Sequence, residues 1–385
     1  MAKKTTKKVS KKSANKETGF LDDFAKSIKK SGALVLDEDM GSMIPWQVPF
    51  NHLGLQKITG GLLGGKVMGI EGASQAGKSW LLYELFGNTI KMGGVSYLVD
   101  AERAFEPAYA RASGVDLKAR RLLYSDNNVI EDIEEAIIEF VKRSRDNIKD
   151  INIPITAGLD SLVNTKCREQ AEAEIKGKDL GYAYMKRADA VYSMVDRLIP
   201  ILDDYGASLV LINQLRIDKS AGLFKDPTYT QFENLIYRYT QLIRGKLSTV
   251  EKEEGDKQIK LGQHVRWESF KSRFVKPKQF VKAKYEYEKG LFRYSGLFDL
   301  LIRDKAIIGE KRNDPNDGRK KIQGCRVVGD EEKRFWPLAE AKEMFEQYPH
   351  LLEPKYIEIH ENEDELSEFN NSENKREEDG TSLDV

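Results

Sequence analysis

The segment from Gly72 to Ser79 has the spacing of a loop that binds phosphate groups. It reads Gly72-Ala73-Ser74-Gln75-Ala76-Gly77-Lys78-Ser79 and matches the pattern GxxxxGK[ST] in full. In such a loop the glycines let consecutive backbone N–H groups face the phosphates of a nucleotide at the start of a helix. Lys78 adds a positive charge, and the Ser79 hydroxyl is a ligand for Mg²⁺. A glycine-rich turn that precedes a helix by chance is the alternative.

Two acidic residues are candidates to complete a site that hydrolyses ATP. Asp160 ends an apolar run from Ile151 to Leu159, where a carboxylate can hold Mg²⁺ through water. Glu102 lies just beyond the apolar run Val95–Val99, where a carboxylate can activate the attacking water. Its spacing fits equally well with a helix start, in which Asp100 is the cap and Glu102 lies in the first turn.

An amide side chain is a candidate to contact the third phosphate. Gln214 follows directly after the apolar run Ser208–Asn213. At the end of a parallel strand its amide can reach a γ-phosphate, but Asn213-Gln214 can also form an ordinary turn. Local spacing leaves both possibilities open.

These residues require a scaffold of alternating strands and helices. Apolar runs without a polar alternate face predict strands, and apolar residues at helical spacing predict helices. The predicted strands are Lys66–Glu71, Val95–Val99, Ile151–Leu159 and Ser208–Asn213, and the predicted helices are Ser79–Asn88, Ile130–Lys142 and Ala188–Leu202. The pattern indicates an α/β fold with a mainly parallel sheet covered by helices on both sides.

Composition limits the class of protein. Basic and acidic residues each number 62 in 385, so the net charge is zero, but lysines concentrate before residue 31 and acidic residues after residue 360. Cys167 and Cys325 lack metal-site spacing and predict free thiols rather than a disulfide or a metal site. No apolar run approaches the ~20 residues of a membrane span. We therefore expect a soluble, cytoplasmic protein without membrane contact.

The same patterns predict five regions. Phe20, Leu21, Phe24 and Ile28 recur at helical spacing after a Lys-rich start, and a turn-rich segment, 313–318, interrupts the C-terminal part. The regions are a basic disordered tail (1–18), a helical segment (19–45), a core that contains the phosphate loop (46–295), a small C-terminal α+β module (296–358) and an acidic disordered tail (359–385).

Several separate segments, in this order, resemble the bacterial RecA recombinases and especially their bacteriophage, UvsX-like relatives. The similarity runs from about residue 45 to about 310, and the phosphate loop lies within it. The segments that carry it are 100–110, 211–216, 270–277 and 285–290, followed by Asp299-Leu300. The resemblance implies an ATP-dependent recombinase, with a RecA-type P-loop ATPase and DNA-binding core over 46–295 and a polymerisation segment over 19–45. Such a protein forms filaments on single-stranded DNA and exchanges it into a homologous duplex.

The resemblance also implies roles for individual residues. Glu102 activates the hydrolytic water, Tyr109 stacks on adenine and Gln214 senses the γ-phosphate, so Glu102, Lys78 and Gln214 form the catalytic set. Lys271 and Arg273 reach across to the nucleotide of the adjacent subunit. The remaining residues of the ATP-binding set are Gly72, Ala73, Ser74, Gln75, Ala76, Gly77, Ser79, Trp80, Glu106 and Asp160, with Ser79 and Asp160 holding Mg²⁺.

Two predicted loops hold DNA by the same resemblance. The first lies near 172–181 and the second runs from Arg216 to about Glu233. Their candidate DNA-binding residues are Lys176, Lys178, Arg216, Lys219, Phe224 and Lys225. The basic residues would neutralise phosphates, and Phe224 would stack against bases. An ordinary surface loop with incidental lysines is the alternative.

The implied partners are single- and double-stranded DNA, further copies of the chain, a single-stranded-DNA-binding protein and a loading mediator. Two departures from the family pattern concern Arg273, which stands where a second lysine is usual, and 229–233, which replaces a Thr-rich stretch. A ring-shaped helicase or motor with the same ATPase core, or a recombination mediator switched by nucleotide, would share the phosphate loop.

Overall fold

The structure is a computed structural model that describes residues 43–177, 181–217, 228–252, 260–286, 290–313, 320–330, 332–337 and 340–341. The chain divides into two units between Met43 and Ile44, and all the elements named below lie in the second unit. The predicted tails, 1–18 and 359–385, and most of the predicted polymerisation segment therefore lie outside the described residues.

Helices and strands alternate up to about residue 217, beyond which strands predominate. The helices are α1 (Leu53–Thr59), α2 (Lys78–Lys91), α3 (Pro107–Ala112), α4 (Ile130–Asn147), α5 (Arg168–Ile175), α6 (Gly181–Asp204) and α7 (Leu297–Arg303). The strands are β1 (Gln47–Val48), β2 (Leu62–Leu63), β3 (Val67–Gly72), β4 (Val95–Asp100), β5 (Leu122–Ser125), β6 (Ile155–Asp160), β7 (Ala207–Ile217), β8 (Thr228–Thr230), β9 (Gln241–Lys252), β10 (Lys260–Ser272), β11 (Phe280–Glu286), β12 (Gly290–Leu291), β13 (Ile307–Asn313), β14 (Lys321–Val327) and β15 (Trp336–Pro337).

The central sheet confirms the predicted fold class. Its strands follow the order β12-β11-β10-β9-β3-β7-β6-β4-β5, with β8 paired to β7. The strands from β9 through β5 in this order are parallel, whereas β10, β11 and β12 pair antiparallel. The strand that carries the phosphate loop, β3, therefore lies between β7 and β9, away from either edge.

Both faces of the sheet are buried. On β3, Met68 and Ile70 pack in one layer with Phe86 of α2, and Val67 packs in the opposite layer with Val195 of α6. Successive strand residues point to opposite faces, so a run buried on both sides has apolar residues at every position. Each buried side chain of this size contributes roughly 1.5–3 kcal/mol. Helix α2 is thereby fixed on one face and helices α4 and α6 on the other.

Close packing at Gly158 explains why the apolar run of β6 is interrupted. A Cβ atom at this position would lie 2.5 Å from Leu82 Cδ1 and 2.7 Å from Phe86 Cζ, both in α2. Those distances are well inside van der Waals contact, so α2 approaches β6 too closely for a larger side chain. The same approach brings the start of α2 near the end of β6, where Asp160 lies.

Several predicted boundaries differ from the structure. The strand predicted from Ile151 begins at Ile155, because residues before it form a turn in which the Asp150 carboxylate accepts a hydrogen bond from the N–H of Asn152. The strand predicted to end at Asn213 continues to Ile217, so Gln214 lies inside β7 and not after it. Helices α4 and α6 are longer than predicted. No strand was predicted for β5, β9 or β10.

The predicted C-terminal α+β module corresponds to α7 and an antiparallel sheet of order β13-β14-β15. Ile307, Cys325 and Trp336 of this sheet are buried together with core residues such as Leu297. Neither Cys325 nor Cys167 forms a disulfide, and both are buried. Within the described part of the chain, no helix has the length and apolar composition needed to span a membrane.

Candidate nucleotide-binding site

The phosphate loop connects β3 to α2 at the carboxyl edge of the sheet. Gln75 and Gly77 adopt positive φ angles of 63° and 86°, which turn the backbone sharply before the helix. Gly77 is the cap residue of α2, and no side chain accepts a hydrogen bond from the helix start. The first N–H groups of α2 are thus left for another acceptor, as an anion site requires.

Lys78 is buried behind this loop. Its Nζ donates to the carbonyl of Ala73 at 2.8 Å, and only 8% of the residue is exposed. Burial lowers the pKa of the amine, while the negative charges of Asp160 and Glu102 act to raise it. The three charged groups therefore share one small region, although they come from three separate elements.

Ser79 and Asp160 form the pair expected to hold a metal ion. The Ser79 hydroxyl donates to Asp160 Oδ2 at 2.6 Å. Burial is the main cause that raises the pKa of Asp160 to about 6, while the hydrogen bond from Ser79 acts to lower it. A hydroxyl and a carboxylate are hard oxygen ligands of the kind that Mg²⁺ binds, together with water and phosphate oxygens. The pair therefore fits a nucleotide-bound Mg²⁺, and among the described residues no larger cluster of metal-binding side chains occurs.

Glu102 lies in a turn after β4 and is exposed. Its N–H donates to the carbonyl of Asp160 at 3.2 Å, which ties the turn to the end of β6. The alternative in which Asp100 caps a helix beginning at this turn is wrong. Asp100 is buried and accepts from the N–H of Phe105 at 2.8 Å, and helix α3 begins only at Pro107.

Gln214 lies beside the phosphate loop, on the strand that pairs directly with β3. In the parallel pairing of β3 with β7, Gln214 is the partner of Gly72, the first residue of the loop. Its N–H donates to Asn213 Oδ1 at 2.9 Å. Because the strand continues beyond it, the turn proposed as the alternative for Asn213-Gln214 is not formed.

An aromatic wall closes one side of the site. The Tyr109 and Tyr285 hydroxyls lie 3.0 Å apart, and both rings line an open cleft of about 290 Å³ with Gln75, Gly77, Lys78 and Ser79. Trp80 is buried behind them, with ring centroids 5.3 Å from Tyr109 and 5.9 Å from Tyr285. Trp80 thus supports the wall instead of lining the cleft.

Besides Trp80, which was predicted to bind ATP but is buried behind the wall, two site features differ from the sequence prediction. The Glu106 carboxylate, predicted to bind ATP, accepts from the N–H of Ala108 at 3.2 Å and caps α3. Tyr285 lines the cleft but was not among the predicted site residues. A signal was present, because Val281, Ala283 and Tyr285 alternate as buried residues along β11. Without the position of β11, however, the sequence does not show what the inward face meets.

Lys271 and Arg273 lie away from this cleft, at the end of β10. The Lys271 Nζ donates to the carbonyl of Ile236 at 2.6 Å, and burial lowers its pKa, as does the charge of Arg273. Arg273 is exposed and lines a separate groove with Phe274 and Tyr237. Neither residue lines the cleft of its own chain.

The predicted DNA-binding residues are only partly described. Lys176 is exposed and pairs with Glu172 at 3.2 Å, and helix α5 occupies the beginning of the first predicted loop. Arg216 is exposed in β7 and is the cross-strand partner of Tyr229 in β8, so the second predicted loop begins and ends as paired strands. The remaining candidates, Lys178, Lys219, Phe224 and Lys225, lie outside the described residues.

A phosphate loop between a buried strand and a helix, with a Ser–Asp pair beside it on a mainly parallel sheet, defines a P-loop nucleotide-binding protein. Within that class the comparison with protein families is specific. The RecA N-terminal domain family matches residues 24–292, and the chain belongs to this family.

Individual relatives show the same family. The chain is 28% identical to Protein RecA of Leptospira biflexa over 252 residues, which are 64% of this chain and 60% of the relative. It is 29% identical to Protein RecA of Salinispora arenicola over 251 residues, 65% of this chain and 66% of the relative. Protein RecA of Borrelia turicatae is 26% identical over 281 residues, 72% of this chain and 68% of the relative. The match thus spans about 60% of the length of the Leptospira relative.

Proposed function

We propose that the protein is an ATP-dependent DNA recombinase, which forms a filament on single-stranded DNA and catalyses homologous pairing and strand exchange. One observation carries this proposal. On the single strand β7, Gln214 lies beside Gly72 of the phosphate loop, and Arg216 is exposed two residues further along. Nucleotide contact and the start of a predicted DNA-binding loop are therefore joined by continuous backbone.

ATP would be held by groups that already lie together. The helix α2 N-terminus and Lys78 would bind the phosphates, and Ser79 with Asp160 would hold Mg²⁺. Bound Mg²⁺ supplies charge neutralisation on the phosphate oxygens. Glu102 would orient the attacking water and accept its proton, because its turn is tied to Asp160 and its exposed carboxylate is free to approach. The rings of Tyr109 and Tyr285 would form the wall of the cleft next to the adenine base.

The filament would depend on two residues that lie away from the cleft of their own chain. Lys271 and Arg273 would contact the nucleotide of the adjacent subunit, so that ATP lies between subunits. Gln214 would then link γ-phosphate occupancy to the loop after Arg216, and ATP would favour the state that binds DNA. Hydrolysis would relax that state.

Binding to DNA would use the two predicted loops. Lys176, Lys178, Arg216, Lys219 and Lys225 would contact phosphates and Phe224 would stack on bases, so binding should be insensitive to sequence and weaken with salt. Homology would be read by base pairing. We further propose a UvsX-like origin in a bacteriophage, action in the cytoplasm of the host cell, and partnership with a single-stranded-DNA-binding protein and a loading mediator.

A joint assay tests this function. ATP hydrolysis and strand exchange between a single strand and a homologous duplex are measured with the full chain, with and without single-stranded DNA. We expect hydrolysis that DNA stimulates and exchange that requires ATP. Hydrolysis without stimulation and without exchange would contradict the proposal. A closed ring that unwinds duplexes would instead support a helicase.

A further inference from the structure

Gln263 holds the apex of the phosphate loop from outside the loop. It lies on β10, is fully buried, and its Nε2 donates a short hydrogen bond to the carbonyl of Gln75. Gln75 has the left-handed φ angle of 63°, which residues other than glycine rarely adopt. A fixed N–H donor to this carbonyl therefore helps to stabilise a backbone conformation that a residue with a side chain disfavours.

The neighbouring strand contacts the loop at a second point. Tyr285 of β11 is the direct cross-strand partner of Gln263. A Cβ atom at Gly77 would lie 3.5 Å from the Tyr285 ring, so the ring covers this glycine at ordinary contact distance. Two paired residues of the β10–β11 hairpin thus contact Gln75 and Gly77, which both line the cleft. The hairpin and the loop form one contact surface.

The far end of β10 carries Lys271. It lies eight positions after Gln263, and at about 3.3 Å per residue the distance along the strand is roughly 26 Å. The intervening strand is firmly packed, because Val265 and Trp267 are fully buried and a Cβ atom at Gly245 would lie 2.7 Å from the Trp267 ring. The pairing of β10 with β9 has two register shifts between these residues, yet close packing on both sides transmits a displacement along the strand.

We propose that Gln263 is a positioning residue, which shapes the phosphate loop for ATP and ties the loop to the strand that presents Lys271. Nucleotide binding in one subunit then sets the position of Lys271, which contacts the nucleotide of the next subunit. The first half of this inference stands on the contacts within one chain. The second half rests on the proposed function, because it requires Lys271 to act across subunits.

Gln263→Met tests the first half, because it keeps the length of the side chain and removes the donor. Gln263→Leu is a second variant that separates loss of the hydrogen bond from any effect of methionine packing. Gln241→Met is a matched control. Gln241 is 2% exposed on β9, and its Nε2 donates to the carbonyls of Thr59 and Gly61, away from the cleft.

The affinity for a fluorescent ATP analogue is measured without DNA, beside thermal unfolding. We expect both Gln263 variants to bind about tenfold more weakly, as loss of one hydrogen bond within the site implies. Gln241→Met should bind normally even if it is less stable. Equal affinities in the wild type and both Gln263 variants would overturn the positioning role, and so would an equal loss in the Gln241 variant.

The second half is tested by the ATP dependence of hydrolysis on single-stranded DNA. We expect a sigmoidal curve for the wild type and the Gln241 variant, with the Hill coefficient falling toward 1 in both Gln263 variants. Weaker binding with an unchanged Hill coefficient would refute the coupling and leave the local role standing. A wild type without DNA-stimulated hydrolysis would refute the proposed function instead, and the binding comparison would still decide the local role.

Discussion

The two ends of the parallel strands each bury a cation, but in different ways. At the amino ends of β6 and β7, Arg145 is 9% exposed and donates to the carbonyls of Tyr205, Ile148, Asp150, Ile153 and Gly206. At the carboxyl ends, Lys78 is 8% exposed and donates to the carbonyl of Ala73. The two residues therefore have similar exposed fractions, but their sets of hydrogen-bond partners differ.

The comparison separates a charge that stabilises the fold from a charge that is available for chemistry. A guanidinium has five N–H donors, and the five carbonyls around Arg145 use all of them. Lys78 has three donors, faces the carboxylates of Asp160 and Glu102 through space, and lines an open cleft. A cation whose donors all have acceptors can only stabilise the fold, whereas a cation with donors to spare can bind an incoming anion.

Replacing Lys78 gives the largest expected effect. Lys78→Ala should reduce DNA-stimulated ATP hydrolysis about 10³-fold, because charge stabilisation of the phosphates is lost. The free energy of unfolding without nucleotide should hardly fall, since burial already disfavours the charged amine. Hydrolysis rates and thermal unfolding are the measurements. A loss of stability as large as that of an Arg145 variant would erase the contrast between the two ends.

Replacing Arg145 should have the opposite result, with lower stability and unchanged nucleotide binding. Arg145→Met leaves buried carbonyls without donors and should lower the free energy of unfolding by about 3 kcal/mol. Binding of an ATP analogue by the folded protein should not change. Arg143→Met, on the same helix, is the control: Arg143 is exposed and forms a surface ion pair with Glu139 at 2.5 Å, so stability should change by about 0.5 kcal/mol or less.

Glu102→Gln removes a charge from the same end as Lys78 without removing a phosphate contact. Hydrolysis should fall about 10²-fold while the affinity for ATP changes by no more than about threefold. Single-turnover rates and analogue binding separate the two quantities. Normal turnover in this variant would exclude Glu102 from activating water.

A further contrast at the carboxyl ends is the pH dependence of stability at Asp160. The carboxyl titrates near 3.8 when unfolded and at about 6 when folded, so the folded state binds more protons between these values. Stability without nucleotide is therefore favoured below pH 3.8 and lost as pH rises through 6. Asp160→Asn should raise the free energy of unfolding at pH 8 by up to about 3 kcal/mol, with no gain near pH 4.

Asp330 gives a control of opposite sign. Hydrogen bonds from Arg334 lower the pKa of this carboxyl, so its contribution to stability is present at neutral pH and lost as pH falls. Asp330→Asn should therefore reduce stability at pH 8. Denaturant unfolding of both variants across pH 4–8 would show the two trends, and a parallel response would contradict both assignments.

The sequence predicted the parts of the fold whose causes are local. The strand before Gly72, the helix from Lys78 and the apolar strands of the parallel sheet all follow from short-range pattern and burial. The extension of β7 past Asn213 was not predicted, because it depends on pairing with β8. Likewise β5 has only four residues, which are exposed or half-buried at the sheet edge, and this length is too short for a clear periodic pattern.

The site divides in the same way. The contact between Ser79 and Asp160 agrees with the pairing expected from the motif and from the end of an apolar run. The contact of Gln263 with Gln75 and the ring of Tyr285 over Gly77 could not be predicted, since they join residues far apart in sequence through a hairpin whose register the sequence leaves open. The roles of Lys271 and the DNA-binding residues stay predictions.

The central position of β3 determines when the nucleotide site can exist during synthesis. Glu71 of β3 pairs with Arg244 of β9, 173 residues later in the chain. At roughly 5–20 residues per second, β3 leaves the ribosome roughly 9 to 35 s before its second neighbour does. Until β9 has been synthesised, one edge of β3 lacks its paired strand, and the nascent chain cannot form the complete phosphate loop. ATP can therefore stabilise this domain only after nearly the whole sheet has been translated.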